Sequence, residues 1–397
     1  MKYDFDTPVE RRGTSCVKWD APNAVGVPPA EVLPMWVADM DFRTAPCIVE
    51  ALERRVAHGV FGYVCVPDGY YDALTGWFSR RRGWQIQREW VLYTTAVVPA
   101  LSVCINALTE PGDHVVFLTP AYNCFFSCVK QAGRVCSESP VLYTNENGVL
   151  KVSIDWEDLE RRCAAPAAKM LLLCNPHNPV GRVWTPEELA RLGFLARQHG
   201  LVVLSDEIHC ELEMPGCRYT PFAAVSAENE ACSVTMNSPS KSFNTASLQI
   251  ANIISPDPVL RAQIARVIHS FELNSVGPFG VEALQAAYNQ GEDWLKELNE
   301  YLWGNYCLLR ELFARELPCC PVTELQATYL AWVDVSAIGV GSEAIVNSLI
   351  EHEHVRPGPG AIYGDDHFLR INLACPRSLC EEGLKRIVAG LKRLKNV

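Results

Sequence analysis

Polar side chains with different chemistries follow four short apolar runs in the middle of the chain. Tyr122 comes after the first run, Asn178 after the second, Asp206 and His209 after the third, and Lys241 after the fourth. If these runs are parallel strands of one sheet, their carboxyl ends share one edge, and ligands of open α/β sheets bind outside that edge. The sequence therefore predicts a site that combines a phenol, an amide, a carboxylate, an imidazole and a primary amine.

This set of groups matches the needs of pyridoxal 5′-phosphate (PLP). A lysine bonds to its aldehyde, a carboxylate keeps the pyridine nitrogen protonated, an amide or imidazole hydrogen-bonds the phenolic oxygen, and an aromatic ring stacks on the cofactor. A helix N-terminus receives the phosphate, and residues 94–99 are predicted to open a helix after a fifth run. A single lysine in a polar loop is more often exposed than catalytic. The indication comes from the order and strand-end placement of all the groups together.

The elements that must position these groups alternate along the chain. Short apolar runs separated by amphipathic segments predict a mostly parallel sheet with helical crossovers. One crossover helix is predicted over residues 186–199, with Thr185 as N-cap, Pro186 at the first position and Glu188 completing a capping box. The predicted strands are 91–93, 115–118, 170–173, 201–204 and 233–236.

The pattern changes after about Pro278. With the N-terminal arm, this part is predicted to form a smaller α+β domain. Its predicted elements are a long helical stretch at 281–316, a strand at 329–333, a helix at 342–352, a strand at 368–373 and a helix at 380–395. The predicted domains are 1–50 (N-terminal arm and part of the small domain), 51–280 (large cofactor-binding domain) and 281–397 (small C-terminal domain).

Composition excludes several other classes of protein. The chain has 397 residues and a formal net charge of -11, so we expect no general attraction to nucleic acid or anionic lipid. No apolar run is long enough to cross a membrane, and no secretory signal precedes the 17 scattered cysteines. We expect a cytoplasmic protein with reduced thiols. No cluster has zinc-site spacing, so no metal is predicted.

Three segments together resemble the fold type I PLP enzymes of the aspartate aminotransferase superfamily. They are Asn175-Pro-His-Asn-Pro-Val-Gly181, Asp206-Glu-Ile-His209 and Ser238-Pro-Ser-Lys241. Further matches resemble one branch, the MalY/PatB-like cystathionine β-lyases. These are Gly13-Thr14 with Trp19-Asp20, Leu33-Pro-Met-Trp-Val-Ala-Asp-Met-Asp-Phe42, Phe61-Gly-Tyr63, Val97-Val-Pro99 and Lys241-Ser-Phe-Asn244. The resemblance covers essentially the whole chain and implies an α/β fold whose large domain holds a mostly parallel seven-stranded sheet between helices.

The resemblance also implies a role for each candidate residue at the cofactor ring. Lys241 carries PLP and moves the substrate α-proton, Asp206 pairs with the pyridine nitrogen, and Asn178 pairs with the phenolic oxygen. Tyr122 stacks on the ring, and His209 lies beside it.

The phosphate is expected to bind to several parts of the chain. The implied donors are the backbone N–H groups of Ala96 and Val97 and the hydroxyls of Ser238 and Ser240. Tyr63 is implied to reach the phosphate from a neighbouring subunit, so the expected active unit is a homodimer with a shared active site.

The substrate is expected to be a small amino acid. The resemblance implies that Arg370 holds its carboxylate through the planar guanidinium fork. The pocket walls are expected to involve Tyr122, Tyr63, Trp36 and residues near Ile362-Tyr363.

The sequence departs from generic aminotransferases at several positions. His209 stands where they carry Tyr, which fits the lyase branch, and Gln249 stands where they carry a phosphate-binding Arg. Ala96 replaces the usual Gly, and Thr245-Ala-Ser-Leu248 replaces Leu-Ala-Gly-Leu. Phosphate binding is therefore expected to depend more on neutral donors and Tyr63.

The implied reaction is α,β-elimination of L-cystathionine or another cysteine S-conjugate to pyruvate, ammonia and a thiol. An aminotransferase would use the same site, and residue chemistry alone does not separate the two. An additional regulatory or protein-binding role is a further alternative. A nicotinamide-type oxidoreductase is remote because no G-x-G-x-x-G follows a predicted strand.

Overall fold

The structure, a computed structural model, describes residues 2–395 and consists of two seven-stranded sheets covered by helices. The helices are α1 (Val17–Asp20), α2 (Pro46–His58), α3 (Asp68–Arg82), α4 (Val97–Leu108), α5 (Asn123–Gln131), α6 (Trp156–Cys163), α7 (Pro186–Gln198), α8 (Ala227–Ala231), α9 (Pro258–Ser270), α10 (Pro278–Gln290), α11 (Glu292–Glu316), α12 (Ser342–Glu353) and α13 (Arg377–Lys395). The strands are β1 (Leu33–Met35), β2 (Val91–Thr94), β3 (His114–Thr119), β4 (Val135–Pro140), β5 (Leu142–Glu146), β6 (Val149–Ser153), β7 (Ala168–Cys174), β8 (Val202–Asp206), β9 (Ser233–Asn237), β10 (Ala251–Ile254), β11 (Val322–Thr323), β12 (Leu330–Asp334), β13 (Val355–Pro359) and β14 (Phe368–Asn372).

The first sheet has the strand order β2-β10-β9-β8-β7-β3-β4. Its neighbours are parallel except at β10, which is antiparallel to both β2 and β9. All five strands predicted from the apolar runs are present, so the prediction of a mostly parallel seven-stranded sheet between helices is confirmed. The buried runs on β7, β8 and β9 explain this arrangement, because strands covered by helices on both faces read as continuous apolar stretches.

Two helices beside this sheet begin as the sequence predicts. The Thr185 hydroxyl accepts a hydrogen bond from the backbone N–H of Glu188, and the Glu188 carboxylate accepts one from the backbone N–H of Thr185, which confirms the capping box of α7. Ala96, in extended conformation, is the N-cap of α4.

The second sheet has the order β1-β13-β14-β12-β11-β6-β5 and mixes parallel and antiparallel pairs. It collects β1 from the N-terminal arm and the β5–β6 hairpin from the middle of the chain with four strands from the C-terminal part. The hairpin was absent from the predicted elements because each strand has only five residues, and β5 is mostly exposed. The domain boundaries at residues 50 and 280 stay a prediction.

The long helix predicted over residues 281–316 is divided into α10 and α11 at Gly291. A Cβ at this residue would lie 2.5 Å from Cε1 of Phe243 and 2.6 Å from the carbonyl oxygen of Ala287. The absence of a side chain thus allows Phe243, two residues after Lys241, to pack closely against the helix junction. Within residues 2–395, no helix is long and apolar enough to span a bilayer.

Candidate active site

The carboxyl ends of the parallel strands bring most of the predicted residues to one cavity. In the registers of β7, β8 and β9, Cys174 lies opposite Asp206, and Asp206 lies opposite Met236. The cavity encloses about 140 Å³. The predicted site residues that line it are Ala96, Val97, Tyr122, Asn178, Asp206, His209, Ser240 and Lys241.

Lys241 lies in the turn that follows β9, and its side chain is partly buried. Its Nζ donates a hydrogen bond of 2.6 Å to the carbonyl oxygen of Ala38. Burial and then the positive charge of Arg370 lower the pKa of this amine, Asp39 and Asp206 act in the opposite direction, and the net pKa is about 8. A larger share of this amine is therefore neutral near neutral pH than of an ordinary lysine, and the neutral form is the one that a nucleophile or a proton acceptor needs.

Asp206 is the last residue of β8 and is buried. Its Oδ1 accepts one hydrogen bond of 3.1 Å, from the backbone N–H of Ile208. Burial raises the pKa of the carboxyl to about 7, an effect that this hydrogen bond and the charge of Lys241 offset in part. A buried carboxylate with so little compensation has a strong tendency to bind a cation or a protonated ring nitrogen.

Arg370 and Asn178 join the two sheets at the cavity. Arg370, on β14, donates from Nη1 to Oδ1 of Asn178 at 3.2 Å and from Nη2 to the carbonyl oxygen of Trp36 at 2.8 Å. Its guanidinium carbon lies 4.4 Å from the ring centroid of Tyr363, and its buried Nε has no hydrogen-bond partner. The guanidinium is held rigidly and retains a free donor, which suits binding of a carboxylate.

Two further side chains at the cavity are kept neutral by their surroundings. Burial raises the pKa of the Tyr122 phenol well above its usual range. Burial also holds the pKa of His209 well below its usual range, and the charges of Lys241 and Arg370 add to this effect. Nδ1 of His209 is buried without a hydrogen-bond partner. Both side chains are therefore neutral at the cavity near neutral pH.

The N-terminus of α4 lies at the cavity. The first N–H groups of a helix have no partner within the helix, and here those of Ala96 and Val97 lie among the cavity-lining residues. Ser240 lines the same cavity. Ser238 does not: its hydroxyl donates to the carbonyl oxygen of Ile250 at 2.6 Å and accepts from the N–H of Ser240 at 3.1 Å. Ser238 therefore orders the loop, and Ser240 is the one of the two serines that lines the cavity.

Tyr63 is not near this cavity in its own chain. Its side chain is 107% exposed, on a segment between α2 and α3 that also exposes Val60 and Phe61. The role that the sequence predicts for it, across a subunit contact, stays a prediction.

Several residues that hold the site together were not predicted from the sequence. Ala38 supplies the carbonyl that receives Lys241 Nζ and also accepts a 2.9 Å hydrogen bond from the hydroxyl of Tyr329. Asn372 donates to the carbonyl oxygens of Val37 and Asp39, so it fixes the same segment from the second sheet. The position of a backbone carbonyl group cannot be inferred from the types of side chain along the sequence. The polar Asn372, two residues after Arg370 on one strand face, was the available signal.

The donor set fits PLP. A partly buried amine, a buried carboxylate short of partners, an amide, a phenol and a helix N-terminus surround one cavity. The orphaned Nδ1 of His209 and Nε of Arg370 are buried polar groups of the kind that a ligand would satisfy.

Comparison with known proteins agrees with this geometry. Residues 30–387 match the sequence family described as aminotransferase class I and II. Cystathionine beta-lyase PatB of Bacillus subtilis is 40% identical over 391 residues, which is 98% of this chain and 100% of the relative. Protein MalY of Escherichia coli is 35% identical, over 99% of this chain and 100% of that protein.

Two solved structures are similar over nearly their whole length. Cystalysin from Treponema denticola, which contains a PLP cofactor, has a TM-score of 0.93 at 32% identity and covers 100% of both chains. The PLP-bound C–S lyase from Staphylococcus hominis has a TM-score of 0.90 at 30% identity, with 98% of each chain covered.

Proposed function

Because this chain belongs to the aminotransferase class I and II family, we propose that it is a PLP-dependent carbon–sulfur β-lyase. It converts L-cystathionine or other cysteine S-conjugates to pyruvate, ammonia and a thiol. The observation that carries the proposal is the presence of Lys241 and Asp206 in the lining of one cavity, where burial shifts the pKa of the amine down and the pKa of the carboxyl up. Full-length relatives named as cystathionine β-lyases support the choice of reaction.

PLP, when bound, supplies an electron sink conjugated to the substrate α-carbon. Asp206 keeps the ring nitrogen protonated, because a carboxylate with one hydrogen bond in a buried site is stabilised by an adjacent N–H⁺. Asn178 can donate from its Nδ2 to the phenolic oxygen, because its Oδ1 already accepts from Arg370. Tyr122 would stack on the ring, and the N-terminus of α4 would hold the phosphate, since both line the same cavity.

Lys241 is the base for the α-proton. Its Nζ accepts the proton in the neutral form, which the lowered pKa makes available. Arg370 holds the substrate carboxylate, which fixes the α-carbon relative to Nζ of Lys241. A thiolate then leaves from the β-carbon without a dedicated acid, because thiols are acidic enough to depart as anions.

The first experiment is pyruvate release from L-cystathionine by the PLP-loaded protein with no 2-oxo acid present. Equal amounts of pyruvate, ammonia and thiol are expected. If turnover instead requires a 2-oxo acid as amino acceptor, the protein is an aminotransferase, the reaction that gives this family its name. Lys241 would serve both reactions, so the requirement for the acceptor decides between them.

The subunit arrangement and location belong to the same proposal. We infer a homodimer in which Tyr63 contributes to the partner's phosphate site, supported by its full exposure beside exposed Val60 and Phe61. A mixture of Lys241→Ala and Tyr63→Ala chains, refolded together, would then regain activity that neither variant has alone. The 17 cysteines are all free in the structure, which supports a reducing, cytoplasmic location.

A further inference from the structure

One face of the second sheet carries two arginines, and one of them, Arg370, donates a hydrogen bond to Asn178 at the edge of the cavity. Val355 and Leu369 pack into the core on the opposite face, so Arg356, Gly358 and Arg370, one residue out of phase with them, face the other way. Gly358 lies directly opposite Arg370 in the antiparallel pair of β13 and β14. Arg356 lies two residues before Gly358 on the same strand and pairs with Pro34 of β1, so its side chain leaves the sheet on the same face as that of Arg370.

Trp36 connects these two arginines. Its carbonyl oxygen accepts the 2.8 Å hydrogen bond from Arg370 Nη2. Its ring lies under Arg356, whose guanidinium carbon is 3.9 Å from the ring centroid. The indole therefore holds the Arg356 guanidinium in a fixed position next to the residue that is expected to bind the substrate carboxylate.

Arg356 has little compensation for its charge. It is half-buried, and the partner seen for its guanidinium hydrogens is the carbonyl oxygen of Pro22, 3.1 Å from Nη1. Burial lowers the pKa of this arginine, with no opposing contribution from a carboxylate in the described part of the chain. Arg11 shows the contrasting arrangement, since it pairs with both Asp39 and Asp41 at 2.6 Å.

We propose that Arg356 is a specificity-determining residue that binds a carboxylate at the far end of the substrate's sulfur substituent. This inference rests on the proposed function and narrows its substrate class to cysteine S-conjugates with an acidic tail. L-Cystathionine belongs to that class, because it carries a second carboxylate beyond the sulfur. Arg370 binds the α-carboxylate, and Arg356 binds the distal one on the same face of the sheet.

Two S-conjugates of the same shape test the proposal. S-(2-carboxyethyl)-L-cysteine and S-(2-carbamoylethyl)-L-cysteine differ in that the first ends in a carboxylate and the second in an amide. Pyruvate release by PLP-loaded protein gives kcat and KM for both, in the wild type and in Arg356→Gln. The variant is expected to lose about ten-fold or more in kcat/KM on the carboxylate, mainly through KM, with the amide unchanged. Arg356→Lys is expected to restore part of the loss.

If Arg356→Gln lowers kcat/KM equally for both substrates, Arg356 acts only by supporting Trp36 and Arg370. If the substitution changes kcat/KM for neither substrate, the distal group does not reach Arg356. Either result overturns the proposal.

A binding measurement separates this proposal from the lyase assignment. L-2-Aminopimelate places a carboxylate at the same distance but has no leaving group, and L-2-aminoheptanoate ends in a methyl group instead. Calorimetry on the PLP-loaded protein is expected to show tighter binding of aminopimelate, and Arg356→Gln is expected to remove the difference. Equal affinities in the wild type would overturn the role of Arg356. Absence of pyruvate from both conjugates would instead contradict the proposed function.

Discussion

Two buried carboxylates five residues apart have opposite surroundings. Glu211 accepts from Nε of Arg81, Nη2 of Arg82 and Nε1 of Trp77, each at 2.9 Å. Asp206, at the end of β8, accepts one backbone hydrogen bond and has no ion-pair partner within 4 Å among residues 2–395. The first carboxylate belongs to a network that joins α3 to the loop after β8. The second faces the cavity.

Their pKa values differ accordingly. Burial acts to raise the pKa of Glu211, but the charges of Arg82 and Arg81 outweigh it, and the pKa is lowered. Burial raises the pKa of Asp206 to about 7 with little opposition. The fold thus compensates the buried charge of Glu211 within the protein and leaves Asp206, at the cavity, with little compensation, as expected of a carboxylate whose partner is the proposed cofactor.

The largest expected effect comes from removing the amine that shares the cavity with Asp206. Lys241→Ala removes both the attachment point of the cofactor and the proposed base, so turnover should fall by at least about 10³-fold. Pyruvate release measures the change, and Lys169→Ala, which removes an exposed lysine, is the matched control. Near-wild-type activity in Lys241→Ala would contradict the assignment of the site.

Glu211→Gln should destabilise the protein, because it removes the buried carboxylate whose charge two arginines compensate. The change leaves Arg81 and Arg82 without their shared carboxylate, and loss of one partner from a buried pair destabilises by about 3–5 kcal/mol. Urea unfolding of the apoprotein measures the loss. Protein that remains folded should keep its kcat, because Glu211 does not line the cavity; a selective fall in kcat would link this network to the chemistry.

Asp206→Asn should preserve the stability of the apoprotein and lower kcat, the reverse of the effects expected for Glu211→Gln. It removes an uncompensated buried charge, so the apoprotein should be at least as stable as the wild type. It also removes the partner of the ring nitrogen, so kcat should fall by about 10²-fold or more and PLP should be retained less well. Unchanged kinetics would show that Asp206 does not contact the cofactor ring.

The pH dependence of stability should separate the two carboxylates. The pKa of Asp206 is about 7 in the folded apoprotein against an ordinary value of 3.8. The folded state therefore binds more protons between these values, and this group makes the free energy of unfolding fall as pH rises from about 4 to 7. Glu211, with its lowered pKa, contributes stability above its ordinary pKa of 4.5 that is lost as the pH falls.

Urea unfolding of apoprotein at about pH 5.5 and pH 7.5 tests this relation. The stability advantage of Asp206→Asn over the wild type should be larger at the higher pH. An advantage that does not depend on pH would show that the Asp206 carboxyl titrates at its ordinary value in the folded chain.

The smallest effect is expected where a positive charge is added to the site. Gln249 is exposed, has φ of 56°, and stands where generic aminotransferases carry a phosphate-binding Arg. Gln249→Arg should slow PLP release by about ten-fold or less, because one partly exposed ion pair with phosphate is gained. Gln249→Glu is the control of opposite charge and should speed release. Equal release from both variants would place residue 249 away from the phosphate.

Residue patterns predicted the large sheet well but left out parts of both sheets. The apolar runs on β3, β7, β8 and β9 read clearly because helices cover them on both faces. The four-residue β10 and the five-residue strands of the β5–β6 hairpin are too short to give a distinct pattern, so they were absent from the prediction. The division at Gly291 was also missed, because the close approach of Phe243 depends on a contact between distant segments.

The sequence likewise predicted most of the site residues but not every contact that holds them in place. Strand ends placed Tyr122, Asn178, Asp206 and Lys241 together, and the structure brings all four to one cavity. The carbonyl of Ala38 and the occupied hydroxyl of Ser238 could not be predicted, because both depend on where the backbone lies.

The sequence by itself determined the chemistry of this protein, because residue type and position at strand ends specify an amine, a carboxylate and an amide at one sheet edge. Only the tertiary structure decided which buried charges are compensated and how the pKa values of these groups shift. Burial and the positions of neighbouring charges set whether a carboxylate such as Asp206 or Glu211 is compensated, and those neighbours are distant in the chain. The placement of Arg356 and Arg370 on either side of Trp36 likewise arises only when β1, β13 and β14 pair in their register.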